Sequence, residues 1–311
     1  MGTAGTPSSG IVLVDKPQGW TSHQVVGRMR RLLGTRKVGH AGTLDPMATG
    51  LLIMGANRAT RLLGHLAGRD KTYLATIRLG QSSSTDDAEG ELSDVVPAAG
   101  LADEAVEAAM VGLRGSIEQV PSSVSAIKVG GRRAYALVRA GEEVELAART
   151  VEVTRFEVTG RRVVGDLLDL DVVVDCSSGT YIRALARDLG AVLGTGGHLT
   201  MLRRTRIGGF DLPPAPPDLN SDDVPALVGM GEVARRVFDC VDISAEDARA
   251  LGYGQRIQVT RSAGAELAGE PAAGELAAIG PDGDLVALLG PDTEAGWARP
   301  TTVFAPAGKN A

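Results

Sequence analysis

Strand-like runs recur along this 311-residue chain without a helix set regularly between them, and that order constrains the fold more than any other feature. Gly10–Asp15, Leu51–Met54, Lys71–Leu79, Val151–Phe156, Leu167–Val174 and Leu202–Phe210 read as strands, being β-branched or aliphatic runs bounded by turn residues. Thr21 or Ser22 can cap a helix that runs through Val25, Val26, Met29 and Leu32 to a stop at Gly34. Further helices are expected over Asp103–Leu113, near Arg133–Ala140 and over Tyr181–Leu193. Regular alternation of strand and helix would give a doubly wound parallel sheet, whereas this order predicts an α+β fold.

The sequence divides into a leader at 1–9, a body at 10–238 with an insertion on its sheet at about 100–150, and a small β-rich appendage at 239–311. Leu212-Pro-Pro-Ala-Pro-Pro217 reads as a stiff linker. Aromatic residues make up only 3%, so Leu, Val, Ile and Ala must supply most of the core. Cys176 and Cys240 lie far apart without CxxC spacing, which points to reduced thiols rather than a zinc site or a disulfide framework. No run approaches the ~18 apolar residues of a membrane span, and the start MGTAGTPSSG lacks a basic and apolar targeting pattern. A cytoplasmic protein without a membrane partner is the expectation, and a monomer is the default.

Net charge is −6, which taken alone argues against a polyanionic partner. Its distribution argues the reverse. Residues 1–80 carry 11 Lys/Arg against 3 Asp/Glu and residues 181–210 carry 5 against 1, while residues 211–311 carry 7 against 16. A basic face on an otherwise acidic molecule suits nucleic acid, although solvated surface alone gives the same pattern.

The segment Gly39-His40-Ala41-Gly42-Thr43-Leu44-Asp45-Pro46-Met47-Ala48-Thr49-Gly50 wraps glycines and a proline around one carboxylate that no neighbouring residue neutralises. A catalytic loop has this form, and so does an ordinary turn closed by an aspartate side chain. The segment resembles the motif GH-x-G-x-LDP-x-A-x-G of the tRNA pseudouridine synthase B family, which it matches throughout. Further blocks resemble that family in the same order: DKPQGWTS at Asp15–Ser22, KTYLATIRLG at Lys71–Gly80, STDDAEG at Ser84–Gly90, CSSGTYIRALARDLG at Cys176–Gly190 and HLTMLRRTRIGGF at His198–Phe210.

The resemblance implies a pseudouridine-synthase core, with a mixed, mainly antiparallel sheet flanked by helices, and a C-terminal PUA-like β domain. It implies an isomerase that converts uridine 55 in the tRNA T-loop to pseudouridine. That reaction breaks the bond from uracil N1 to ribose C1′, turns the flipped-out base and rejoins C5 to C1′, and a carboxylate can serve as nucleophile or base. No cofactor and no metal are implied. Asp45 stands at the position of the catalytic aspartate, Tyr73 at that of an aromatic that stacks on the base and helps deprotonate C5, and Arg183 at that of the aspartate's partner.

His40 corresponds to a histidine that fills the space the flipped nucleotides vacate, and Lys16 and Pro17 to a turn supporting the loop. Leu202 would floor the uracil pocket, and Tyr181 would join the substrate contacts. Arg28, Arg30, Arg31, Arg36, Lys37, Arg58, Arg61, Arg203, Arg204 and Arg206 are candidate phosphate contacts. Lys128, Arg132 and Arg133 fall in a thumb-like insertion, where Pro121–Lys128 departs from the commoner PPxYSAxK at Ser122 and Val124. Two other readings compete: a tRNA-binding folding chaperone that remodels the T-arm without chemistry, and a hydrolase pairing Asp45 with His40, against which the lack of a second acid counts.

Overall fold

The computed structural model describes residues 9–122, 128–129, 132–133, 146–259, 275–292, 294 and 296–305. In chain order these form β1 (Gly10–Lys16), α1 (Ser22–Leu32), β2 (Val38–Ala41), β3 (Thr49–Ala56), a 3₁₀ turn (Asn57–Leu62), α2 (Leu63–Ala67), β4 (Lys71–Leu79), α3 (Asp103–Val111) and β5 (Gly115–Gln119). The short pair β6 (Lys128–Val129) and β7 (Arg132–Arg133) precedes β8 (Arg149–Val164), β9 (Leu167–Cys176), α4 (Ile182–Val192), β10 (Gly197–Ile207) and β11 (Phe210–Asp211). The C-terminal part adds β12 (Val228–Gly229), α5 (Met230–Val237), β13 (Asp239–Asp242), α6 (Ala245–Gly252), β14 (Ile257–Gln258), β15 (Leu276–Ile279), β16 (Leu285–Pro291) and β17 (Trp297–Val303).

Ten strands make the main sheet, in the order β12-β1-β3-β10-β4-β9-β8-β5, with β2 beside β3 and β11 beside β10. Its ladders are antiparallel except for a short parallel contact in the middle, where Arg203 and Arg204 of β10 face Thr49 and Gly50 of β3. The strand expected at Leu202–Phe210, late in the body's sequence, is thus central in space. It lies between β3 and β4 because both of its edges are paired.

β5 pairs with β8 at the sheet edge from Gly115↔Val153 to Gln119↔Arg149. After the Leu212–Pro217 run the chain packs on the body, with Leu219 in one cluster with Val25, Met29 and Leu52. The expected helix near Arg133–Ala140 begins on a residue that is paired in β7, and the rest of it lies outside the described residues.

Both faces of β1 and β3 are covered, as their continuous apolar runs require. Val12, Val14, Leu52 and Met54 pack under α1. Ile11, Leu51 and Ile53 face the other way, onto Met230 and Val233 of α5 and onto Ala277, Ile279, Leu285, Leu288 and Phe304. The C-terminal sheet, ordered β13-β15-β16-β17-β14, therefore shares a core with the body. A third cluster lies between β4, β9 and β10 and the helices α3 and α4, and its open end, at Leu44, Tyr73, Ile182 and Leu202, is where the candidate site lies.

Candidate active site

A cleft of about 220 Å³ opens at that end, lined by the Gly42–Asp45 loop, Tyr73 of β4, Gly179–Arg183 at the start of α4, and Leu202 and Arg204 of β10. Asp45 stands on a loop without regular structure, so its position depends on what holds the backbone around it. The Thr21 hydroxyl caps α1, accepting from Gln24 N, while the Gln24 side chain accepts from Thr21 N. With Thr21 as the cap, Ser22 is free to face the loop. Its hydroxyl accepts from Leu44 N at 3.0 Å and donates to Leu44 O at 3.2 Å.

Next to Asp45, Pro46 O accepts from Gly19 N at 2.8 Å and from Lys16 Nζ at 3.2 Å. Lys16 is fully buried and also donates to Pro17 O and Trp20 O. Burial pulls its ammonium down to about 8. Gly42 has φ +76 and Gly50 φ +99, and a Cβ at Gly50 would stand 2.2 Å from Arg204 O, so glycine there lets the loop return against β10.

The opposite wall carries Arg183, in the first turn of α4 and 5% exposed at its side chain. Its guanidinium reaches Asp45 Oδ2 at 3.0 Å, Asp87 Oδ2 at 3.2 Å and Thr85 O at 3.0 Å. The Asp87 side chain is 3% exposed and that of Asp45 39%, so one carboxylate anchors the arginine from within and the other faces the cleft. Asp87 was not singled out from the sequence. Nothing separates it from Asp86 and Glu89 in STDDAEG, and only its distance to Arg183 does so.

Between these walls Tyr73 is nearly buried, and burial pushes its phenol up against the opposing pull of Arg204. Leu202 contributes an apolar surface that is 6% exposed. Tyr181 is fixed by its backbone, since the buried Gln119 side chain accepts from Tyr181 N at 2.8 Å and donates to Tyr181 O at 3.1 Å. Lys71 also lines the cleft but donates to Ala67 O at 2.9 Å, and burial pulls its ammonium down to about 8.

Several expected RNA contacts are placed elsewhere. Arg204 is 1% exposed and spends its guanidinium on Leu51 O and Gly42 O, at 2.8 and 2.7 Å, so it props the Asp45 loop from below and does not meet a phosphate on the surface. Arg61 is exposed but donates to Val303 O of β17, tying the body to the C-terminal sheet. Arg203 pairs with Asp15 at 2.6 Å, Arg206 with Asp175 at 3.5 Å, and Arg28 with Asp222 at 2.9 Å as well as Leu219 O and Ser221 O. Arg31, Arg36, Lys37 and Arg58 stay exposed, and Lys37 O accepts from Asn57 N, which brings the segment after α1 beside the end of β3.

His40 lies in β2 outside the cleft, with its ring edge-on to His23 at 6.4 Å. Burial first, and then His23, lower its pKa, and its Nδ1 has no hydrogen-bond partner among the described residues. Pro17 is exposed beside Lys16. The Lys128 side chain lies outside the described residues. Among the described residues no group of three or more His, Cys, Asp or Glu is placed to hold a metal.

A carboxylate held by a buried arginine at the mouth of a cleft with an aromatic wall and an apolar floor can attack a carbon or remove a proton from a planar ring bound there. Three family models cover most of the chain: TruB family pseudouridylate synthase (N terminal domain) at residues 30–182, tRNA pseudouridylate synthase B C-terminal domain at 183–223, and tRNA pseudouridine synthase II, C terminal at 238–305. The tRNA pseudouridine synthase B of Arthrobacter sp. (strain FB24) is 56% identical over 303 residues, covering 96% of this chain and 97% of that protein. Its counterpart in Cutibacterium acnes is 55% identical over 291 residues, covering 93% and 95%. Among solved structures, a Cbf5-Nop10-Gar1 complex contains a chain that superposes with a TM-score of 0.69 at 25% identity, covering 96% of this chain and 85% of that one. Motif, cleft and comparisons agree, and the chain belongs to the TruB family of pseudouridylate synthases.

Proposed function

We propose that this protein is the tRNA pseudouridine synthase that isomerises uridine 55 in the T-loop, acting on a base flipped out of the arm. The observation that carries the reading is the Asp45–Arg183 pair at 3.0 Å at the mouth of a cleft of about 220 Å³. A cleft of that size, walled on both sides, admits a planar ring and not a stacked helix. A base must leave its stack to enter it. Arg183 keeps the Asp45 carboxylate aimed and charge-balanced until the N1–C1′ bond breaks, when the carboxylate meets the electron-poor sugar. Tyr73 and Leu202 hold the freed uracil between an aromatic and an apolar surface while it turns.

The exposed cations Arg31, Arg36, Lys37 and Arg58 give the RNA backbone a place to settle, a role that sets position without reading sequence. Arg235, Arg236 and Arg256 are each paired with a carboxylate, which leaves them less available to a polyanion.

The test is release of tritium from T-arm RNA labelled at uracil C5, with the native protein beside Asp45→Asn. Release by the native protein alone supports isomerisation through Asp45. Tight binding with no release from either protein would instead support a folding chaperone of the T-arm.

A further inference from the structure

Asp86 lies between the two residues that hold Arg183 from the β4–α3 loop, and its own side chain serves another purpose. Its φ is +60, a left-handed conformation unfavourable for a residue with a side chain. Backbone bonds fix it there, from Asp86 N to Ser83 O and from Leu199 N to Asp86 O. In this conformation its carboxylate accepts from the hydroxyl of Ser122 at 2.6 Å and pairs with Arg187 at 3.1 Å. Ser122 is fully buried, and Arg187 also donates to Val120 O at 2.8 Å and pairs with Asp188 at 2.9 Å.

Arg187 follows Arg183 by one turn of α4. The helix therefore grips the Thr85–Asp87 loop twice, with Arg183 on Thr85 and Asp87 and with Arg187 on Asp86. One ion pair fixes a distance and leaves the loop able to pivot about it. A second, one residue away and locked by Ser122, removes that freedom.

We infer that Asp86, Ser122 and Arg187 form a positioning node for the reaction: none lines the cleft, and together they set the loop from which Arg183 is aimed at Asp45. This rests on the catalytic reading of the Asp45–Arg183 pair, which the Asp45→Asn comparison examines separately. The Ser122 hydroxyl is what ties Asp86 to the start of the segment after β5.

The experiment is single-turnover tritium release at saturating protein for Ser122→Ala, Ser122→Thr and Arg187→Met, with RNA affinity and thermal midpoint measured on the same samples. Ser122→Ala should slow turnover about 10-fold with RNA affinity within ~2-fold of native, and Ser122→Thr, which keeps the hydroxyl, should recover to within ~3-fold. Arg187→Met should act in the same direction, and Ser122→Ala should add little in an Arg183→Lys background, because both changes act through Arg183. The inference is overturned if Ser122→Ala keeps the native rate, if rate and affinity fall together, or if its effect multiplies fully with that of Arg183→Lys. Should Ser122→Ala fail to fold, Asp86→Asn, which tolerates the same backbone, carries the test with the same outcomes.

Discussion

The two walls of the cleft are held by opposite chemistry. Asp45 is on an irregular loop whose backbone oxygens are taken by donors: Lys16 and Gly19 at Pro46, Ser22 at Leu44 and Arg204 at Gly42. Arg183 is on a regular helix, and acceptors hold its guanidinium: Thr85 O, Asp87 and Asp45 itself. Among the described residues the cations that shape the acidic wall form no ion pair with the Asp45 carboxylate, which pairs there with Arg183 and keeps an exposed face toward the cleft. Damage to the two walls should therefore differ in kind. A donor lost from the Asp45 wall leaves buried carbonyls unpaired and costs mainly fold, whereas a loss at Arg183 costs mainly chemistry.

The sharpest way to break this comparison is Arg183→Ala, which should lower single-turnover tritium release by about 10²–10³-fold with much less effect on RNA affinity. It also leaves the buried Asp87 carboxylate without its cation, at a cost to stability of about 3–5 kcal/mol in urea unfolding. Adding Asp87→Asn should restore stability but not turnover. Recovery of both would make Arg183 a structural residue only.

Lys16→Met comes next, since three carbonyls lose a shared donor and unfolding free energy should fall by about 3 kcal/mol. The native advantage over this variant should grow with pH. The folded ammonium is pulled from its ordinary value of 10.5 to about 8, so between those values the unfolded chain holds a proton the folded chain has released, and stability rises with pH. A native advantage that shrinks across that window would mean that the buried ammonium is stabilised rather than strained. The smallest effect concerns surface cations. Arg36→Ala, Lys37→Ala and Arg58→Ala should each reduce the salt slope of RNA binding by about 1, while Arg61→Ala, already committed to Val303 O, should leave it unchanged.

How much of the site could be read along the chain differed from residue to residue. The Asp45 loop was visible because glycines at positive φ around an unpaired acid are a local pattern, and its later course as β3 followed from the apolar run Leu51–Met54. Arg183 and Tyr73 were named only through resemblance to a family, for neither stands out by type or spacing. Arg203 and Arg204 show why charge counting failed for part of the basic set. As neighbours on a strand they point to opposite faces, so one meets Asp15 at the surface and the other is buried under Gly42.

The sequence by itself determined the strand runs, a cap at Thr21 or Ser22, the glycines that let the loop bend and the acid at its centre, because each depends on residues within a few positions. Only the tertiary structure decided that β10 is central, that Asp87 and not its neighbours anchors Arg183, and which arginines remain free for a polyanion. The reason is that a side chain's charge is fixed by its type, but whether it is spent depends on partners brought in from elsewhere: 96 residues away for Arg183 and Asp87, and 188 for Arg203 and Asp15.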